Sequence, residues 1–177
     1  EMATESEMKW YAIFVETGHE EDFERLVKIL YPHEEIKILI PKRKLMERRQ
    51  GRTYEVIKKL FPGYVLVKTV MDAGIYHKLS QVPRAYGVLK DECEPVPIRD
   101  EEMSIILALT SNGDTIEFSE VYREGEHIVV ASGPLKGLEG IIEKVDARKK
   151  RVKIRIQFLG QEKRVDLGAY LIEKCSG

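Results

Sequence analysis

Alternating cations along one short segment are the residues of this chain best suited to bind a partner. Between Arg151 and Phe158, the residues Val, Ile, Ile and Phe alternate with Arg, Lys, Arg and Gln, which gives a strand one apolar face and one cationic face. The turn before it, Asp146–Lys150, adds three more cations. Cations about two residues apart fit the phosphate spacing of a nucleic acid backbone. The alternative is a solvated strand face whose charges protect a sheet edge.

A second candidate site is the aromatic turn Phe61-Pro62-Gly63-Tyr64. Pro-Gly favours a defined turn, and the β-forming residues that follow predict a strand. Aromatic side chains on a rigid turn offer a protein partner a large contact area at little entropic cost. The alternative is that one or both aromatics fill the core, because the alternation of the strand requires at least one of its faces to be buried.

The sequence shows no catalytic or metal-binding pattern. Its four histidines are scattered, and the glycine-rich loop at 133–140 lacks the Gly-Lys-Ser/Thr of a phosphate-binding loop. The two cysteines, Cys93 and Cys175, are far apart, which indicates a reduced, cytoplasmic protein. No apolar run approaches the roughly 20 residues of a membrane span. We therefore expect a monomer that is not an enzyme and has no cofactor, no metal and no membrane partner.

The net charge of −1 hides an uneven distribution. Residues 1–35 contain ten acids and three bases, whereas residues 42–59 contain eight bases and two acids. Residues 143–164 contain nine bases and three acids. Two basic segments in a nearly neutral protein predict two separate contacts with polyanions.

The predicted elements fall into two different textures. Up to about residue 109 the order is β-α-β-β-β-α-β-α, with Gln50-Gly51 as a hairpin tip, and this order favours an α+β domain with one sheet and helices on one side. From about residue 121, about five short strands separated by glycines predict a small β-barrel. We expect a disordered leader at 1–7, a first domain at 8–110, a linker at 111–120 and a second domain at 121–177.

These motifs resemble the NusG family of transcription elongation factors. The resemblance rests on several stretches that occur in order over nearly all of residues 8–174. They are Trp10-Tyr11, Phe61–Val67, Gly125–Val130, Gly133–Gly140, Val145-Asp146, Gln157–Gly160 and Val165–Leu167. The resemblance implies a fold in which an N-terminal α+β (NGN) domain, with one mixed sheet and packed helices, is linked to an all-β KOW barrel of SH3-like type.

The resemblance also implies partners for the first domain. NusG-like proteins bind the clamp of RNA polymerase, and the matching positions here are Tyr11, Phe61, Pro62 and Tyr64. In such proteins the basic hairpin lies near upstream DNA. The corresponding DNA-proximal residues are Arg43, Lys44, Arg48 and Arg49.

With two departures from the family pattern and the basic turn and strand at 148–155, the sequence resembles a specialised paralog of the LoaP antiterminator type. Leu135 and Leu138 stand where NusG usually carries aromatics that meet termination factor Rho or a ribosomal protein, and Val82–Gly87 lacks the usual Pro-Gly-Val. LoaP-type proteins are recruited by an RNA hairpin in the transcript, which implies an RNA-binding KOW domain. The predicted RNA contacts are Lys136, Arg148, Lys149, Lys150, Arg151, Lys153, Arg155, Lys163 and Arg164.

Two other functions stay open at this stage. The first is a general NusG elongation factor that binds polymerase without choosing an RNA. The second is a ribosomal KOW-type RNA-binding protein, which leaves the first domain and its aromatic turn unexplained.

Overall fold

The computed structural model describes Thr4 and residues 7–174 of the 177-residue chain. Most of the predicted leader, and Cys175, therefore lie outside the described residues. The described α-helices are α1 (Glu20–Leu30), α2 (Ala73–Ser80) and α3 (Asp100–Leu109). The described strands are β1 (Lys9–Val15), β2 (Lys37–Leu39), β3 (Lys42–Arg49), β4 (Arg52–Lys59), β5 (Tyr64–Thr69), β6 (Ala85–Val88), β7 (Thr115–Ile116), β8 (Ser119–Glu124), β9 (His127–Ser132), β10 (Ile142–Asp146), β11 (Arg151–Phe158) and β12 (Gln161–Leu171).

The chain groups into two compact units. The first contains Glu1–Ile40 and Phe61–Met103, and the second contains Pro41–Leu60 and Ser104–Gly177. The basic hairpin β3–β4 thus belongs spatially with the β-rich C-terminal part. The predicted domain boundaries at 110 and 121 stay a prediction.

A four-stranded antiparallel sheet forms the first unit, in the order β2-β5-β1-β6. Tyr11 on β1 and Val65 and Val67 on β5 point to one face, where they pack with Phe23 and Val27 of α1. This core confirms that a face of β5 is buried, as its alternation requires.

The helices expose some of their apolar side chains. Leu30 is exposed at the last turn of α1, and Leu107 of α3 is exposed as well. Asp72 caps α2, because its carboxylate accepts the Ile75 backbone N–H at 2.8 Å.

The second unit contains a five-stranded sheet in the order β10-β11-β12-β8-β9 and a three-stranded sheet in the order β4-β3-β7. Parallel pairs β8/β12 and β3/β7 make these sheets mixed. The apolar face of β11 is fully buried, as predicted, with Val152, Ile154 and Phe158 inside. An α+β unit and a β-rich unit that fits a small barrel confirm the predicted fold class.

One strand lies inside the segment that had been expected to be a linker. β7 pairs with the first residues of β3, and the Lys42 N–H donates to the Asp114 carbonyl at 2.8 Å. Such pairing with a segment some 70 residues away leaves no local periodicity, so the polar composition of 110–114 hid it.

Candidate functional site

The aromatic turn is held in place by one buried carboxylate. Glu20, at the start of α1, is 0% exposed and accepts the backbone N–H of Gly18 at 2.7 Å and that of Gly63 at 3.0 Å. The Gly63 carbonyl in turn accepts the Val15 N–H at 2.9 Å. Gly63 has φ of +85°, a conformation that favours glycine. Hydrogen bonds to the N–H and to the carbonyl of Gly63 therefore fix the turn against the sheet.

The aromatics around this turn are less accessible than expected. Phe61 is 4% exposed and Tyr11 8% exposed, and burial raises the pKa of the Tyr11 phenol. Tyr64 is half-buried, with its ring centroid 5.0 Å from that of Phe14, whereas Pro62 is exposed. For Phe61 the core alternative holds in this conformation. A polymerase-binding role for Tyr11, Phe61, Pro62 and Tyr64 stays a prediction.

Strand β11 carries cations outward as predicted, but carboxylates neutralise most of them. Asp166 on β12 lies 3.2 Å from Arg151 and 3.5 Å from Lys153, measured between nitrogen and oxygen. Glu143 and Glu162 pair in the same way with Arg155 and Arg164. The stripe is thus a mosaic of both signs, and its attraction for a polyanion is weaker than the sequence of β11 alone implies.

The turn between β10 and β11 is different, because its cations project into solvent. Arg148, Lys149 and Lys150 are all exposed. The Lys149 N–H donates to the Asp146 carboxylate at 3.0 Å, which closes the turn without using a side-chain charge. The Lys150 ammonium lies 6.0 Å from the centre of the Tyr170 ring. This turn presents the densest exposed positive charge among the predicted RNA contacts.

The two remaining predicted RNA contacts lie at other places on the barrel. Lys136 is exposed in the glycine-rich loop and donates to the Ala131 carbonyl at 3.2 Å. Lys163 is half-buried, with its ammonium 6.0 Å from the Phe158 ring centre. The structure therefore does not gather all nine predicted contacts into one patch.

Of the four predicted DNA-proximal residues, two hold the hairpin on the barrel. Arg43 donates to the Asp166 carbonyl at 2.7 Å, and burial lowers the pKa of its guanidinium, which stays protonated. Lys44 pairs with Glu117 at 2.9 Å and with Glu55 at 3.3 Å. The contact is reciprocal, since Arg151 of the barrel donates to the carbonyl of Met46 in the hairpin at 2.8 Å.

The other two, Arg48 and Arg49, are exposed near the hairpin tip. Gln50 and Gly51 turn the chain there with φ of +51° and +78°, as expected for the predicted two-residue turn. Arg48 lies beside the β10–β11 turn, whereas Arg49 pairs with Glu47 at 3.0 Å. The two basic segments, expected to make separate contacts, therefore meet in the second unit.

Sequence reasoning missed the acidic residues that organise these sites. No local signal in the sequence marks the bond between Glu20 and Gly63. For Asp166 a signal exists. The two-residue turn Leu159-Gly160, with φ of +54° and +76°, fixes the register of β11 and β12 and places Lys153 opposite Asp166.

Metal sites and membrane-spanning helices were also sought in the part of the chain that the structure describes. None of its groups of His, Cys, Asp and Glu could hold a metal ion. None of its helices is both long and apolar enough to cross a membrane.

Comparison with known proteins identifies first the class of this protein and then its family. The family model described as "NusG: Transcription termination factor nusG" matches residues 8–107. A Pseudomonas aeruginosa protein called "Transcription termination/antitermination protein NusG" is 31% identical over 173 residues, covering 94% of this chain and 98% of that protein. Its Escherichia coli K12 namesake is 29% identical over 184 residues, covering 98% and 100%.

A solved structure gives the same result. The structure described as "Domain interaction in Thermotoga maritima NusG" aligns with a TM-score of 0.59 and 28% identity, covering 91% of this chain and 93% of that one. The protein is thus of the transcription elongation and termination factor class. It belongs to the NusG family.

Proposed function

We propose that this NusG-family protein is a specialised processive antiterminator of the LoaP type. Its first unit docks on the clamp of RNA polymerase, and its β-rich unit binds an RNA hairpin in the nascent transcript. One observation carries the RNA part of the proposal: the exposed cations of Arg148, Lys149 and Lys150 stand on a turn closed by Asp146. Phosphate groups would replace water around these side chains without first breaking an ion pair.

The glycine-rich loop supports a specialised role. Leu135 is 0% exposed and packs in the core, and Leu138 is half-buried. The loop at 133–140 therefore offers no aromatic side chain to a protein partner of the kind that general NusG proteins use. Selectivity in this protein must come from another surface, and the cationic turn is the best candidate.

Docking on polymerase is assigned to the aromatic turn. Pro62 and Tyr64 are the accessible members of the predicted set, and the bonds from Glu20 hold them in a defined position. A surface fixed before binding loses little entropy when it meets a partner. Tyr11 and Phe61 would contribute by supporting this surface from within.

A general elongation factor without RNA choice is the second candidate. The ion pairs that Asp166, Glu143 and Glu162 make along β11 favour it, because they lower the net positive charge available to any RNA. In that case the upstream DNA near the hairpin would be the main nucleic-acid partner.

RNA binding by the full-length protein separates the two candidates. We expect Arg148→Ala combined with Lys149→Ala to lower affinity for RNA stem-loops and to reduce the slope of log affinity against log salt by about two, one per lost phosphate contact. The matched control is Arg155→Ala with Arg164→Ala, which removes the same charge from the paired strand face. Fluorescence anisotropy with stem-loops of different sequence measures both effects.

Three outcomes are decisive. A larger loss for the turn variant than for the strand variant, with preference among stem-loops, supports the antiterminator. Binding without any preference favours the general elongation factor. Equal and small losses for both variants contradict RNA binding through the turn.

A further inference from the structure

A groove lies in the second unit between the basic hairpin β3–β4 and the β10–β11 turn. Its volume is about 580 Å³, and two parts of the sequence about 100 residues apart form its walls. One wall is the hairpin, with Arg48 and Thr53 paired across β3 and β4. The other wall is the β10–β11 turn. The lining residues are Met46, Glu47, Arg48, Thr53, Arg148, Lys149, Lys150 and Arg151.

The groove continues past the turn into a smaller cleft of about 160 Å³. The two share Lys149 and Arg151, and the smaller one adds Lys144 and Lys153 as cations. Together they are lined by seven cations and three carboxylates, a net charge of +4. Low-dielectric walls that carry one sign of charge concentrate the field inside a cleft and attract ions of the opposite sign.

The three carboxylates of the groove are already engaged. Glu47 pairs with Arg49 and Lys58, and Asp146 accepts the Lys149 N–H. Asp166 pairs with Arg151 and Lys153. Within the described residues, the side chains of Arg48, Arg148 and Lys149 have no carboxylate partner. These three cations are therefore available to an anionic ligand without competition from the protein.

The groove is preformed because the hairpin is anchored to the barrel below it. Arg151, which lines the groove, donates to the Met46 carbonyl at 2.8 Å, and Arg43 donates to the Asp166 carbonyl at 2.7 Å. At Gly168 of β12 the hairpin backbone approaches so closely that an added Cβ would lie 2.6 Å from the Lys44 carbonyl oxygen. Arg48 is thereby held opposite Arg148 and Lys149 before any ligand arrives.

We propose that this groove binds the sugar–phosphate backbone of a single nucleic-acid strand, with Arg48 of the hairpin and the β10–β11 turn holding it from two sides. The inference rests on the proposed function in one respect, that the β-rich unit meets nucleic acid. A volume of about 580 Å³ is within the range of small-ligand pockets, roughly 300–1,000 Å³, and this size suits a short segment of one strand. Grooves that follow a single-stranded backbone are typically cationic and tolerant of sequence.

The hairpin offers its own control for this proposal. Arg48 and Thr53 face the groove, whereas the next pair in the register, Arg49 and Arg52, does not line it. Arg52 is exposed like Arg48 and lies on the same hairpin. Truncating either arginine removes the same charge, so only the groove contact distinguishes Arg48→Ala from Arg52→Ala.

The experiment measures binding of the full-length protein to a labelled oligouridine of about 12 nucleotides, within the site sizes of single-strand grooves. Salt is varied from about 50 to 200 mM. We expect Arg48→Ala to reduce the salt slope by about one and to weaken binding about threefold or more. Arg52→Ala should match wild type. Circular dichroism and thermal unfolding confirm that both variants fold, as expected for two exposed side chains.

The outcomes separate failure of the groove from failure of the proposed function. If Arg48→Ala and Arg52→Ala behave alike while Arg148→Ala with Lys149→Ala still weakens binding, the groove is overturned and RNA binding by the turn stands. If Arg148→Ala with Lys149→Ala also binds RNA as wild type does, both the groove and the proposed RNA binding by the turn are contradicted. A DNA strand of equal length that binds as well as the RNA supports recognition of the backbone they share. A blunt duplex that competes as well as a single strand overturns the proposal.

Discussion

Two charged anchors fix the two surfaces of this protein, and they work in opposite ways. In the first unit a fully buried carboxylate, Glu20, accepts two backbone N–H groups. In the second unit two half-buried guanidiniums, those of Arg43 and Arg151, donate to backbone carbonyls, and the Nε atom of each is buried without a hydrogen-bond partner.

The difference decides how firmly each surface is held. Removing the buried Glu20 carboxylate leaves the N–H of the half-buried Gly63 without its acceptor, and a desolvated donor without a partner costs more than the net worth of its bond. When the hairpin separates from the barrel, water can reach the Nε–H groups of Arg43 and Arg151, which have no partner while the two are in contact. Hydration of these donors offsets part of the free energy that separation costs. The aromatic turn is therefore a fixed surface, and the hairpin is the more easily released one.

The largest effect is expected at the first anchor. Glu20→Ala should lower the free energy of unfolding by about 3 kcal/mol, because two backbone donors lose a charged acceptor and a cavity replaces the side chain. Chemical denaturation measures the change. Glu20→Gln keeps the shape and one acceptor oxygen but removes the charge, so a glutamine variant as stable as wild type would contradict the role of the charge.

The second prediction concerns a methyl group added at Gly168, where the hairpin and the barrel approach each other. At Gly168 an added Cβ would lie 2.4 Å from the Phe118 ring and 2.6 Å from the Lys44 carbonyl oxygen. Gly168→Ala should therefore destabilise the protein by about 2 kcal/mol through overpacking. Gly140→Ala is the control, since nothing lies within 4 Å of an added Cβ there. Equal thermal stability of the two variants would contradict the close approach.

The smallest effect is expected at the releasable anchor. Arg43→Ala should lower the global stability by about 1 kcal/mol, the net worth of one hydrogen bond. Hydrogen exchange should nevertheless accelerate selectively in β3 and β4, because local opening of the hairpin becomes easier. Arg52→Ala, which removes an exposed arginine, should leave exchange unchanged. Equally accelerated hydrogen exchange in both units would contradict the view that the hairpin is released more easily than the aromatic turn.

Local patterns predicted the elements in which the sequence itself is periodic. The alternation over Arg151–Phe158 predicted the observed bounds of β11, and the Gln50-Gly51 tip is where it was expected, while the cap of α2 by Asp72 is equally local. Each of these features is decided by a few adjacent residues, through side-chain alternation, positive φ or a capping bond.

Features that depend on distant partners were not predicted. Nothing near Glu20 indicates that its carboxylate reaches Gly63, and nothing near residue 115 indicates pairing with β3. The charge of β11 was overestimated because Asp166 lies on the next strand and counts only once the register is known. Sequence thus located the charged groups, while the pairing between strands decided which of them a ligand can use.

The Gln50-Gly51 turn has a consequence for how this protein could change its partners. Arg48 lines the groove, whereas Arg49, the next residue toward the turn, does not. A deletion or insertion of one residue before the turn would exchange the two faces along the whole distal part of the hairpin. A one-residue change in length would therefore move Arg48 out of the groove and bring a neighbouring side chain into it, while the barrel stays unchanged.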